Sequence, residues 1–222
     1  MTSRPLLLGH RGVRGRRYGV RENTIPAFDL ALQHGCDGFE FDVRLTADEC
    51  AVVCHDRKSS GIMIADVRAE KLSRLARLEE ILARYANRAF LDIELKVPGL
   101  ESCLLSALSK HPPQRGYVVS SFLPDVLSTL NECDKSIPLG LICETRRQLA
   151  CWRELPIQYV IVKHSLITPG LISDVHQAEK KLFAWTVNTS QAMLHLAKWG
   201  ADGVIADKPE ILVKTFAKVG KS

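Results

Sequence analysis

Short apolar runs alternate along this chain with longer segments whose apolar residues recur every three to four positions. The short runs, many rich in branched side chains, predict buried strands at residues 6–9, 38–42, 90–94, 117–120, 139–142, 159–162, 183–186 and 203–206. The helical spacing predicts helices at 24–34, 78–85, 100–110, 124–133, 147–152, 170–179, 190–198 and 209–218. In the first of these, Ile25, Phe28, Ala31 and Leu32 form one stripe. Asn23, Ser190 and Pro209 suit helix starts, as a cap or in the first turn. Eight strands alternating with eight helices predict an α/β fold, a single TIM-type (β/α)8 barrel domain spanning 1–222. A doubly wound open sheet uses the same alternation, but no Gly-x-Gly-x-x-Gly follows the first strand. One interval breaks the rhythm. Residues 50–55 read as a further short strand and 56–77 are polar and irregular, so a short insertion is expected after strand 2, on the face where barrel sites form.

Composition narrows the class. The 222 residues are 46% hydrophobic and 25% charged, ordinary values for a globular chain. No apolar run approaches the roughly 18 residues of a membrane-spanning helix. Leu6-Leu7-Leu8 is shorter than the apolar core of a signal peptide, so a cytoplasmic protein without stable membrane insertion is expected. The 7 cysteines are odd in number and irregularly spaced. That suits buried fillers in a reducing compartment better than a disulfide framework or a zinc ribbon. A soft-metal site at Cys50, Cys54 and His55 is disfavoured, because a strand sends Cys54 and His55 to opposite faces. The net charge of +5 is mild. Locally, Arg11, Arg14, Arg16, Arg17 and Arg21 crowd one stretch, which reads as a solvated loop or as a collar for an anionic substrate.

Candidate chemistry sits where the predicted strands end. The first ends in His10-Arg11, the second in Glu40-Phe41-Asp42, the third in Glu94-Leu95-Lys96. Period-two alternation sends Glu40 and Asp42 to one face, and Glu94 and Lys96 to one face. Three carboxylates converging in a barrel mouth repel one another unless a positive charge sits among them. A hard divalent cation such as Mg²⁺ or Ca²⁺ would answer this. A salt-bridge network with Lys96 and Arg11 would also answer it. His10 and His55 are candidate proton carriers. His164 follows the sixth strand, within reach of the mouth, whereas His34, His111, His176 and His195 fall in helices or loops away from strand ends. Phosphodiester cleavage needs a base, an acid and cations on the non-bridging oxygens. These residues could supply all three, with Arg11 and Lys96 on the phosphate.

Taken together, Gly9-His10-Arg11-Gly12, Glu22-Asn23-Thr24 with Ala27-Phe28, Glu40-Phe41-Asp42-Val43, His55-Asp56 and Glu94-Leu95-Lys96 resemble the glycerophosphodiester phosphodiesterase family. Ser120-Ser121-Phe122, Trp185-Thr186-Val187-Asn188 and Asp202 to Pro209 extend the likeness nearly end to end. The resemblance implies a TIM barrel with a divalent metal on Glu40, Asp42 and Glu94. It implies His10 and His55 as the acid–base pair, phosphate contacts from Arg11 and Lys96, and Trp185 as an apolar wall. It further implies hydrolysis of small glycerophosphodiesters to glycerol 3-phosphate and an alcohol, by attack of a substrate hydroxyl or of water, with Glu22 and Asn23 bracing the site. Two departures bear on the substrate. Arg21 stands where the family commonly has Pro, and the stretch after His55-Asp56 is short, so an open site and a more anionic or larger headgroup are expected. A lysophospholipase D-like enzyme would need an apolar groove at the mouth. A non-catalytic phosphate-binding barrel would not need both histidines beside all three carboxylates. Nucleic-acid binding lacks aromatics interleaved with the basic residues. The headgroup, the native metal and the oligomeric state are not fixed by sequence.

Overall fold

A computed structural model describes residues 4–217, so Lys218 of the last expected helix lies outside the described residues. In chain order the strands are β1 (Leu6–His10), β2 (Gly38–Leu45), β3 (Ala51–Val53), β4 (Lys58–Ser59), β5 (Ile62–Met63), β6 (Phe90–Leu95), β7 (Tyr117–Ser121), β8 (Leu139–Cys143), β9 (Tyr159–Lys163), β10 (Lys181–Trp185) and β11 (Gly203–Ala206). The helices are α1 (Ile25–Gln33), α2 (Leu78–Tyr85), α3 (Glu101–Lys110), α4 (Pro124–Cys133), α5 (Arg146–Leu149), α6 (Pro169–Gln177), α7 (Ser190–Trp199) and α8 (Pro209–Ala217). Strands β1, β2 and β6 to β11 pair in parallel, and β1 bonds to both β2 and β11, which closes an eight-stranded TIM barrel.

Alternation along each barrel strand divides the apolar residues into two packings. Inward side chains Leu8, Phe90, Val118, Tyr159, Phe183 and Ile205 form the barrel's own core. Tyr159 and Phe183 meet edge to face with centroids 5.1 Å apart, so aromatic rings fill the barrel below the polar residues. Outward side chains pack under the helices. Phe28 of α1, Phe39 and Phe41 of β2 and Tyr85 of α2 are all fully buried there, with Phe28 stacked on Phe39 at 4.2 Å. Phe39 and Phe41 thus face the helices, and this turns Glu40 and Asp42 into the barrel.

The structure moves some expected boundaries. Strand β2 runs to Leu45, past the expected Asp42, because Val43 to Leu45 pair antiparallel with β3. This pair and the β4–β5 hairpin form the insertion expected after strand 2. The insertion sits on its own apolar cluster of Val52, Cys54, Ile64 and Leu72, against which Cys50 packs. Cys50 and Cys54 are therefore packing residues. Helix α5 covers only part of 147–152; its single turn is held by a Thr145–Gln148 capping box. The cap of α1 is Thr24, not Asn23, and the cap of α7 is Thr189.

Candidate active site

The turn that leaves β1 sets the site's geometry. Arg11 takes a left-handed φ of 51° and Gly12 follows at 78°. A Cβ at Gly12 would stand 2.6 Å from the backbone of Ala27, so only glycine fits this turn against α1. The turn points the Arg11 amide back into the barrel, where it donates to Glu40 Oε2 at 2.9 Å. Asn23, also left-handed at 57°, donates through Nδ2 to Asp42 Oδ2 at 2.7 Å, and its Oδ1 accepts from the Asp42 amide at 3.2 Å. Of the two expectations for Asn23, a helix start and a brace for the site, the structure shows the contact with the site.

Glu40, Asp42 and Glu94 converge at the ends of β2 and β6, each offering an oxygen within 4.8 Å of the others, and all are buried. Lys96 Nζ lies 2.6 Å from Glu94 and 3.2 Å from Asp42, while Arg11 Nε lies 3.2 Å from Asp42 and its Nη1 2.6 Å from Glu22. The salt-bridge network considered from sequence is thus present, but it does not satisfy the cluster. Glu40 Oε1 is buried and accepts no hydrogen bond, and Asp42 Oδ1 has only the 3.2 Å ion pair with Lys96. These all-oxygen donors could hold a hard divalent cation.

The two histidines line the same cavity, of about 380 Å³, with Arg11, Lys96 and Trp185. His10 Nδ1 lies 2.6 Å from Asp207 Oδ1, and Nε2 lies 3.7 Å from Glu40. An ionised carboxylate only accepts, so the proton sits on Nδ1 and Nε2 is left as the acceptor. Asp207 is fixed in turn by Asn188, which donates to it at 2.7 Å and accepts its amide at 2.9 Å. His55 Nδ1 lies 2.8 Å from Asp56. Trp185 donates to the Ile161 carbonyl and meets Phe122 edge to face at 5.6 Å, forming an apolar wall. His164 is exposed in the turn after β9 and lies outside this lining.

Burial dominates the electrostatics. It drives Glu40 well above the ordinary carboxylate range, with repulsion from Asp42 and Glu94 adding to it, and raises Glu94 to about 8. Burial also acts on Asp42, but Lys96 and Arg11 outweigh it and hold that group low. His55 is lowered by burial, against the pull of Asp56.

Three participants have no assigned role in the sequence reading. Asp207 and Asn188 lie in quoted motifs, and Asp207 obeys the same strand-end rule as Asp42. Asp92, fully buried on β6, takes a hydrogen bond from Ser120 at 2.6 Å and is raised to about 7 by burial. Its phase with Glu94 was the available signal. Three of the five arginines in the arginine-rich stretch are ion-paired. Arg14 pairs with Glu22, Arg17 with Glu210, and Arg11 with Glu22 and Asp42.

A family model described as the glycerophosphoryl diester phosphodiesterase family matches residues 10–104 and 80–211. YhdW of Bacillus subtilis strain 168 is 30% identical over 238 residues, spanning 94% of this chain and 96% of that protein. A glycerophosphodiester phosphodiesterase of Caldanaerobacter subterraneus is 29% identical over 244 residues, spanning 97% and 99%. An Oleispira antarctica phosphodiesterase, solved in complex with the product sn-glycerol-3-phosphate, superposes with a TM-score of 0.83 over 96% of this chain and 97% of that one, at 24% identity. A Thermotoga maritima glycerophosphodiester phosphodiesterase superposes with a TM-score of 0.80 over 96% and 99%, also at 24% identity. These two structures share the fold; membership follows from the family model and the length of the sequence matches: the chain is an enzyme of the glycerophosphoryl diester phosphodiesterase family.

Proposed function

We propose that this enzyme hydrolyses glycerophosphodiesters to glycerol 3-phosphate and an alcohol, with Glu40, Asp42 and Glu94 holding a divalent cation, Mg²⁺ or Ca²⁺, and His10 and His55 exchanging protons. The observation that carries the reading is the buried Glu40 Oε1 with no hydrogen-bond partner, set among three converging carboxylates and facing two histidines whose Nδ1 atoms are each engaged by an aspartate. When bound, the cation would neutralise charge on the phosphate's non-bridging oxygens.

The chain's own residues supply the remaining steps. Arg11 and Lys96 would hold the phosphate. One imidazole takes the proton of the attacking hydroxyl, from water or from the substrate's glycerol. The other returns a proton to the alcohol oxygen as its P–O bond breaks. If glycerol attacks, the transient cyclic phosphate is opened by water with the proton roles reversed. The half-buried apolar wall of Trp185 and Phe122 limits water on one side of the reacting centre.

The test is release of glycerol 3-phosphate from a panel of glycerophosphodiesters with Mg²⁺, Ca²⁺ or Mn²⁺. Activity should vanish in chelator, in His10→Ala and in Glu40→Gln. Full turnover in either variant would refute the roles given to those residues. Turnover of lysophospholipids but not of deacylated diesters would move the substrate to the lysophospholipase D reading, for which an apolar groove does open beside the site.

A further inference from the structure

That groove is a second hollow, of about 360 Å³, which the reaction above leaves unused. It adjoins the main cavity across Glu94, Lys96 and Phe122, which line both. Leu45 and Leu95 contribute apolar lining from the barrel strands, Met63 and Ile64 from the insertion, and Val97 and Leu123 from the loops after β6 and β7. Two guanidiniums complete it. Arg44 continues the inward phase of Glu40 and Asp42 on β2, and Arg57 lies between β3 and β4 of the insertion. Arg44 spends Nε on the His55 carbonyl at 2.8 Å, and neither arginine has an ion pair among the described residues. The groove's one carboxylate, Glu94, is already held by Lys96 at 2.6 Å. Positive charge without an ion-pair partner thus lies here, beside an apolar surface, as well as at Arg16 and Arg21 of the arginine-rich loop.

Each half of a glycerophosphodiester meets different chemistry. Glycerol hydroxyls would find few partners in the groove, whereas the polar cavity suits glycerol and phosphate. A choline or ethanolamine group would face two unneutralised guanidiniums and Lys96. An acyl chain would cover both arginines with hydrocarbon. We propose that the groove binds the leaving alcohol and selects one with a short apolar stem ending in a carboxylate or another anionic group. This rests on the hydrolase reading above and names its substrate class.

The experiment compares glycerol 3-phosphate diesters of 6-hydroxyhexanoate, hexanol and choline, with a lysophospholipid alongside. The expected order of kcat/KM is carboxylate, then hexanol, then choline, with about a hundredfold between the extremes. Arg57 is exposed and unpaired, so its variants should fold. Arg57→Gln should lower the carboxylate-to-hexanol ratio about tenfold, through KM. Arg57→Glu should favour choline over the carboxylate. Cleavage of all three diesters at equal rates, a preference for choline, or faster cleavage of the lysophospholipid overturns the proposal and leaves the hydrolase reading standing. Failure to cleave any diester with any metal overturns both.

Discussion

His10 shows how much a single contact decides. In the proposed reaction its Nε2 is left free as a base because Asp207 keeps the proton on Nδ1. Asn188 donates to Asp207 Oδ2 and requires an acceptor there. In Asp207→Asn the new amide oxygen would stay with Asn188 and the NH₂ would turn to His10, forcing the imidazole proton onto Nε2. The expected outcome is a kcat lower by about 10²- to 10⁴-fold, with KM little changed and the fold intact, measured by steady-state kinetics and circular dichroism. An unchanged kcat would remove His10 from the proton pathway. The carboxylates, His10, His55 and Lys96 are legible in sequence because strand ends and period-two phase place them. Asn23 is legible only through the family likeness, because its position beside a helix start otherwise resembles capping until Asp42 is seen across from it.

At the level of elements, β2 has two opposed jobs. Its even-numbered side chains build the site while Phe39 and Phe41 anchor the strand under α1 and α2. Phe39→Ala should therefore cost about 3–5 kcal/mol, the usual loss for a deleted core aromatic, read from denaturant unfolding with an unchanged m-value. It should also weaken turnover more than an equal core loss under α6, since the strand carrying Glu40 and Asp42 loses its outer support. Equal effects on activity from Phe39→Ala and Ile172→Ala at matched stability would contradict this. Strand and helix order are legible throughout, because buried parallel strands and amphipathic helices carry distinct periods. The extension of β2 to Leu45 is not, because it depends on pairing with β3, a partner chosen by the insertion's packing. The partial cancelling of the arginine loop's charge is hidden from sequence for a similar reason. Ion pairs with Glu22 and Glu210 consume much of the arginine loop, and those pairings exist only after folding.

For the whole molecule, the cluster couples stability to metal and pH. Without a cation, burial holds Glu94 at about 8 and Asp92 at about 7, far above the ordinary carboxylate value of ~4 in an unfolded chain. The folded state then keeps protons that the unfolded state has lost. Stability is fully present at the acid end and falls as pH rises toward 8. His55, lowered in the fold, acts in the opposite sense, but only below the ordinary histidine value of ~6.5. In chelator the melting temperature should fall between about pH 6.5 and 8, and saturating Mg²⁺ or Ca²⁺ should flatten or reverse the slope by binding the deprotonated form. A flat profile in chelator would mean that the carboxylates are already neutralised by Lys96 and Arg11.

The contact between His10 and Asp207 spans 197 residues and joins the first barrel strand to the end of the last. During synthesis, β1 emerges first and must wait with an open edge through seven further barrel strands. The clustered carboxylates on β2 and β6 can be in place long before that wait ends. The histidine's partner cannot. With the role proposed for His10, catalytic competence is withheld from every nascent chain until β11 has left the ribosome, and a partly made enzyme is restrained by its topology alone.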